Sequence, residues 1–243
     1  MKTLEEVELG FRQADLPNFP GYNYPPEFRP MRMTDSRILA PIIRRDAKSI
    51  RTYLGSFQRA HLWNMKDAQS FVSSRLSDDS FPNFHYLFFC GNELVGMGSL
   101  VPYGDDVRDC QIILAVFGSH QGRGWGEAIA NTLKQVAFQI WGFNRMYWIN
   151  DATNIASSKL AQKAGCSLEE TYEDDFILGE SGTGLWYRWV AERPHERLAP
   201  GILQGAPIEY WSQPKSSGLL AQIVATQKGS SQDGEDETTQ PPK

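Results

Sequence analysis

Gln111-Ile112-Ile113-Leu114-Ala115-Val116-Phe117-Gly118-Ser119-His120-Gln121-Gly122-Arg123-Gly124-Trp125-Gly126 decides how this chain is read. An apolar run with strand character comes first, glycine recurs at Gly122, Gly124 and Gly126, and a helical pattern starts immediately afterwards. Glycine takes positive φ and lets a backbone come close to a ligand. The helix that follows offers unpaired N–H groups and the positive end of its dipole to an anion. Consecutive amides of such a turn can wrap a diphosphate without a cationic side chain. The hexamer Gln121, Gly122, Arg123, Gly124, Trp125, Gly126 therefore reads as a pyrophosphate cradle, with Trp125 turned inward as packing. Two other phosphate motifs do not fit. A dinucleotide fingerprint normally opens the first βαβ unit, whereas here Glu127 follows Gly126 and the motif lies mid-chain. A P-loop requires Gly-Lys-Ser/Thr, absent from this stretch. A tight loop that only turns a strand into a helix is the plainer alternative for the hexamer taken alone.

Downstream, Ile129, Leu133, Val136 and Ile140 recur every three or four residues and predict an amphipathic helix ended by Gly142. A strand is expected over 146–149 and a helix over 154–164, closed by Gly165. That helix reads Asn154-Ile155-Ala156-Ser157-Ser158-Lys159-Leu160-Ala161-Gln162-Lys163-Ala164-Gly165, or N-x-x-S-x-x-L-x-x-K-x-G. The two motifs in this order, Q-x-x-G-x-G and then N-x-x-S-x-x-L-x-x-K-x-G, resemble the acetyl-CoA signature and the next helix of the GNAT superfamily of N-acetyltransferases. The likeness is strongest to the ribosomal-protein (RimJ/RimL-type) branch.

Upstream, a short strand is expected over 27–33, then a helix capped by Thr34 or Asp35 and running to about Arg45. Apolar positions between Asp46 and Ser77 predict packed helices, broken near Gly55 and restarted near Asp67. Residues 84–90 and 94–101 around Gly91-Asn92-Glu93 form the clearest hairpin, and a strand over 110–117 leads into the cradle. A last hairpin is expected from 176–178 and 185–190 about a turn at 179–184. Residues 1–26, rich in Pro and aromatics without a period, read as an extended arm. The domain proper is placed at 27–195. Residues 196–243 form a C-terminal extension whose composition predicts disorder from about 212 onward.

The resemblance spans roughly residues 27–190 and implies an α+β (α/β) fold, the GNAT acyl-CoA N-acyltransferase fold. Its central sheet is mixed and mostly antiparallel, flanked by helices, with two middle strands that splay apart around the coenzyme's pantetheine arm. Those strands would be 110–117 and 146–149. The coenzyme-binding residues implied are Val116, Phe117, Gln121, Gly122, Arg123, Gly124, Trp125, Gly126, Asn154 and Ser157, with a backbone N–H at Val116 or Phe117 as the oxyanion donor. Acetyl transfer needs a neutral amine, an oxyanion site and a proton for the departing thiolate. Relatives of the RimJ/RimL type carry a Glu about ten residues before the cradle Gln; here Gln111 stands there, and an amide is no base. Asp109, two residues earlier on the same strand face, is the first candidate for one. The Tyr that many members place near the coenzyme sulfur is Ala161 here, and Ser157 is the hydroxyl that remains nearby. Cys166 replaces a common Phe and reads as packing.

Composition narrows the partners. The chain has 243 residues, 41% hydrophobic, with a net charge of −5, which argues against general nucleic-acid binding. The acidic runs Asp78-Asp79, Asp105-Asp106 and 169–175 either steer an amine or form solvated faces. Three scattered cysteines suggest neither a disulfide framework nor a metal site. No stretch has the length of a membrane span and the first residues lack a signal-peptide core. The expectation is a cytoplasmic N-acetyltransferase, monomeric or homodimeric, with acetyl-CoA as cosubstrate and no metal. Its acceptor would be a peptide N-terminus, or alternatively a small cationic amine such as a polyamine or aminoglycoside. A non-catalytic module binding an acyl-CoA or a protein is the alternative of a different class.

Overall fold

Seven strands among the described residues hydrogen-bond into one sheet in the order β1-β2-β3-β4-β5-β7-β6. The structure, a computed structural model, describes residues 26–51, 60–76, 85–104, 106, 108–173 and 184–194. The strands are β1 (Pro26–Pro30), β2 (His85–Cys90), β3 (Glu93–Pro102), β4 (Asp109–Val116), β5 (Arg145–Asp151), β6 (Ser167–Glu173) and β7 (Leu185–Glu192). All neighbours pair antiparallel except β4 and β5, which run parallel. This is the mixed sheet that the sequence predicts. The β2–β3 hairpin is tighter than expected: Cys90 pairs with Glu93, so the loop is Gly91-Asn92 alone. Gly91 sits at φ 59°, the left-handed conformation that two-residue hairpins require.

Helices α1 (Ser36–Arg51) and α2 (Met65–Leu76) are joined in part by a short 3-10 turn, Ala60–Leu62. The expected break near Gly55 lies outside the described residues. Two details of α1 differ from the sequence reading. Asp35 closes a 3-10 turn ahead of the helix: its carboxylate accepts from the Arg32 N–H at 2.7 Å and is gripped by Arg29 at 2.7 and 2.8 Å. The helix also runs past Arg45 and through Pro41 to Arg51. Leu39, Ile43, Ala47 and Ile50, all buried along one face, carry it onward by packing with Leu87, Met97, Ala115 and Phe117 of the sheet. Tertiary burial outweighs the local proline penalty.

On the opposite face lies α3 (Trp125–Gln135), prolonged by a π-helical turn over Val136–Ile140. Two strand glycines set its depth. A Cβ on Gly96 would stand 2.6 Å from Ile129 Cδ1, and one on Gly98 would stand 2.4 Å from Leu133 Cδ1. Only glycine lets the helix come so close. Helix α4 (Ile155–Lys163) is tied to α3 by Lys134, which donates to the Ala164 carbonyl, and by Lys163–Glu127 at 3.1 Å. No helix among the described residues is long and apolar enough to cross a membrane.

The last hairpin is the main correction. Strand β7 pairs with β6, beginning at Ser167, which the sequence reading did not place; the strand expected over 176–178 lies outside the described residues. Strand β6 reads Ser-Leu-Glu-Glu-Thr-Tyr-Glu and is almost wholly exposed. It therefore lacks the apolar alternation that marks a half-buried strand. Part of the acidic run 169–175 is thus an edge strand, held by ion pairs of Glu169 with Arg145 and Arg188 and of Glu170 with Arg188.

Candidate active site

The geometry turns on the place where β4 and β5 part. β4 pairs with β3 along its length, but with β5 only over Asp109 to Ile112 opposite Arg145 to Trp148. Beyond the Ile112–Trp148 pair the two strands diverge. The Phe117 N–H donates to the Val95 carbonyl at 2.9 Å and that of Tyr103 to the Asp109 carbonyl at 3.1 Å. In an antiparallel ladder this fixes the odd-numbered backbone groups of β4 toward β3 and turns those of Leu114 and Val116 toward the gap. Of the two amides expected to serve an oxyanion, that of Phe117 is therefore committed to β3, and that of Val116 faces the gap. The Gln121 side-chain amide donates to the Val116 carbonyl at 2.9 Å and braces the loop against the strand end.

At the mouth of the gap, the chain makes a 3-10 turn (Gly118–His120) and enters the glycine loop. Gly122 has φ 73° and Gly124, the residue ahead of α3, φ 87°, values at which a side chain is strained. A Cβ at Gly122 would meet nothing within 4 Å, whereas one at Gly126 would lie 3.0 Å from Leu160 Cδ2. Gly122 and Gly124 shape the cradle, and Gly126 lets α3 and α4 close on each other. Trp125 is buried at 1% exposure, turned inward, and Arg123 is exposed at the surface of the loop. His120 does not face solvent. It is buried, with Nε2 3.7 Å from Glu93, and burial is the main cause of its lowered pKa, opposed by Glu93 and reinforced by Arg123.

Helix α4 delivers the second motif to the apex of the gap. The Asn154 carboxamide oxygen accepts the Ser157 N–H at 3.1 Å, an N-cap that starts the helix. The Ser157 hydroxyl accepts the indole N–H of Trp148 at 2.8 Å. Trp148 is the last β5 residue paired with β4, so this bond pins Ser157 beside the point of divergence. An indole N–H only donates, and the hydroxyl keeps its own proton for a further acceptor. Asn150 adds a second brace, donating to Ser158 at 3.0 Å and accepting from Trp189 at 3.0 Å.

Side chains alternate along strands, so Asp109 and Gln111 occupy the face away from α3. Gln111 is half-buried there, opposite Tyr147 of β5. Asp109 is 9% exposed, and the Tyr147 hydroxyl points to it across a long 3.4 Å while receiving a hydrogen bond from Arg145. Burial, then the charge of Asp106, raises the Asp109 pKa above the ordinary aspartate value; Arg145 and Tyr147 oppose the shift. The Tyr147 ring also contacts that of Tyr103 at 4.7 Å and lies under the guanidinium groups of Arg145 and Arg188. A pair that sequence reasoning missed shares this face: His85 Nδ1 lies 2.6 Å from Ser99 Oγ, and Ser99 is paired with Ile113, the first β4 residue past the apex. A lone histidine at the start of a strand gave no signal in the sequence.

This geometry is a backbone gap with a glycine cradle at its mouth, a pinned serine at its apex, and a carboxyl on the far face. The sequence over residues 48–166 matches the family described as Acetyltransferase (GNAT) family. This region of the chain is an acetyltransferase domain of the GNAT family. No curated protein matches it in sequence, but solved structures match in fold. RimL, a ribosomal L7/L12 α-N-protein acetyltransferase in complex with coenzyme A, superposes with a TM-score of 0.63 at 16% identity, over 72% of this chain and 98% of that one. RimJ from Mycobacterium smegmatis in complex with CoA-disulfide gives 0.60 at 16%, over 69% and 81%. Spermidine N-acetyltransferase from Vibrio cholerae in complex with CoA and spermine gives 0.57 at 14%, over 69% and 95%.

Membership fixes the class of chemistry as acetyl transfer dependent on acetyl-CoA. In this GNAT domain the two sequence motifs lie at the ends of one gap, the glycine loop at its mouth and Ser157 at its apex. Asp109 and Gln111 share a face that Ser157 does not. The three cysteines are buried and form no disulfide. Burial pushes the Cys166 thiol up to about 11 and raises Cys110 further, which suits packing better than nucleophilic attack.

Proposed function

We propose that this chain acetylates a protein or peptide N-terminal α-amine by direct attack of the amine on the thioester of acetyl-CoA. The observation that carries the reading is the parting of β4 and β5 beyond Ile112–Trp148, with Val116 facing the gap and Ser157 held at its apex. Gly122, Gly124 and the first amides of α3, with Arg123 beside them, hold the pyrophosphate. Gap-facing backbone groups of β4 pair with the pantetheine amides, and the gap-facing N–H nearest the apex, that of Leu114, serves the oxyanion. Asn154 acts through Ser157, which it caps. The amine arrives from the face of Gln111 and gives up its proton to Asp109 through water. Ser157 donates toward the departing thiolate on the other side. An α-amine with a pKa near 8 is partly neutral at pH 7, so a modest base suffices.

A peptide is favoured over a small polycation by the state of the acidic strand β6. Glu169 and Glu170 are already engaged by Arg145 and Arg188, so neither carboxylate is free to draw a polyamine. We assign the domain to residues 27–195, with the arm before it and the extension after it. The enzyme is read as cytoplasmic, monomeric or homodimeric, and without a metal. The test is calorimetric titration with acetyl-CoA of the full chain and of a Gly124→Glu variant shown by circular dichroism to be folded. Micromolar binding that the variant loses, together with coenzyme release on adding peptides, is the expected result. Binding without release above the hydrolysis background for any amine would favour a non-catalytic module, and failure of the parent to bind would overturn the reading.

A further inference from the structure

Three indoles among the described residues donate to side-chain acceptors. Trp141 donates to the Tyr86 hydroxyl at 2.9 Å, Trp148 to Ser157 at 2.8 Å and Trp189 to Asn150 at 3.0 Å. Trp186 is 7% exposed, and its Nε1 is buried with no hydrogen-bond partner. An orphaned buried donor is costly and calls for an explanation. Its position supplies one. Trp186 pairs with Asp151 on β5, and two residues along β7 Arg188 pairs with Ile149. Alternation therefore puts Trp186 on the face that carries Arg188, Tyr147, Gln111 and Asp109. It stands three residues beyond Trp148, about 10 Å along the strand direction from the apex of the gap. A group attached to an amine that attacks at the apex from this face would extend over this part of β7.

We propose that Trp186 is a specificity-determining residue of the acceptor site, its indole N–H donating to a carbonyl oxygen of the acceptor. The inference rests on the acetyl-transfer reading and sharpens its substrate class. An indole N–H can only donate, and the partner it lacks is an acceptor atom. A peptide N-terminus carries carbonyl oxygens next to its amine; a polyamine carries none, and its protonated nitrogens only donate. The donor thus rewards a peptide and gives a polyamine nothing. Because Nε1 is covered in the free protein, acceptor binding includes displacement of that cover, and the effect falls on acceptor affinity and not on the coenzyme.

The experiment uses the full chain and Trp186→Phe, which keeps an aromatic ring and removes the N–H. Kinetics are measured with a short peptide bearing a free N-terminus, with its analogue whose first carbonyls are reduced to methylenes, and with spermidine; acetyl-CoA affinity is read by calorimetry. The expected result is a rise of about tenfold in KM for the peptide, the size of one lost hydrogen bond. The KM for the reduced analogue and the affinity for acetyl-CoA should be unchanged. Equal peptide KM in variant and parent would overturn the inference while leaving acetyl transfer intact. If the variant does not fold, the parent alone decides: a peptide preferred about tenfold over its reduced analogue supports the donor, and equal use of both refutes it. Coenzyme binding without turnover of any amine would overturn the acetyl-transfer reading and this inference with it.

Discussion

Replacing Ser157 by Ala tests two roles that the structure gives one hydroxyl. Trp148 is 5% exposed, and its indole N–H donates to Ser157 Oγ at 2.8 Å. Removing that oxygen leaves a buried indole N–H unmet, at a cost of about 1–3 kcal/mol. For a domain of this size that lowers the melting temperature by about 2–4 °C per kcal/mol. Trp148→Phe removes the donor instead, and the double variant Ser157→Ala/Trp148→Phe leaves no orphan. Its stability should return to within about 1 kcal/mol of the parent, a coupling of the size seen between contacting residues. Activity should behave differently. A positioned acid contributes about 10²–10⁴-fold, and since a thiolate is a tolerable leaving group the lower end, about 10²-fold in kcat, is expected for Ser157→Ala. The double variant should recover stability and stay slow. Thermal unfolding by circular dichroism and a thiol-detection assay of coenzyme release provide the two readouts. If kcat recovers in the double variant together with the melting temperature, the hydroxyl is only a brace for Trp148 and the proton-donor reasoning is refuted.

Two further outcomes follow from other parts of the structure. Gly98→Ala should destabilise the chain by about 1–3 kcal/mol through overpacking against Leu133, and trimming Leu133 to Ala should relieve the clash. Gly96→Ala should not be rescued by trimming Ile129, because the Ala115 carbonyl oxygen also lies 2.7 Å from the new Cβ; urea unfolding of the single and double variants checks both. Asp109 has a raised folded-state pKa, caused first by burial and then by Asp106, so its contribution to stability is fully present below the usual aspartate value and is lost as pH rises through the folded pKa. Asp109→Asn should therefore gain stability relative to the parent as pH increases through that window, while losing the acid limb of kcat/KM for the peptide; parallel pH series of melting temperature and rate would show either claim wrong.

The parts legible in the sequence were those with local causes. Glycines at positive φ, a capping Asn154 and the 3.6-residue period of Ile129 and Leu133 are properties of neighbours in the chain, and they placed the cradle and both site helices. Strand β6 was missed because nothing local distinguishes its exposed, glutamate-rich run from a solvated loop; its pairing with β7 and its ion pairs come from residues about twenty positions away. The same holds at the site. Ser157 was named from its motif, but the bond that fixes it comes from Trp148, nine residues back on another element. The hydrogen-bonding direction of Phe117 and Val116 depends on which of them opposes Val95, a register that apolar content does not encode.

That register also explains how the gap persists. Backbone groups left without strand partners are costly when they are also shut away from water, and a sheet normally removes them by closing. Here closure is opposed on several sides. Gln121 occupies the Val116 carbonyl, and Gly126 lets α3 and α4 meet at Leu160 above the diverging strands. Trp148 and Asn150 meanwhile anchor β5 to α4 through Ser157 and Ser158. The side chains of Leu114 and Val116 are only half-buried, so water can reach the strip and lower the cost of leaving it unpaired. A ligand that replaces this water must offer amides at the spacing of a strand, and the pantetheine arm of acetyl-CoA carries two. On the proposed reading the cradle sets where such a ligand begins and the Ile112–Trp148 pair sets where it must stop, which brings its reactive end to the place where Ser157 is held from one face and the acceptor enters from the other.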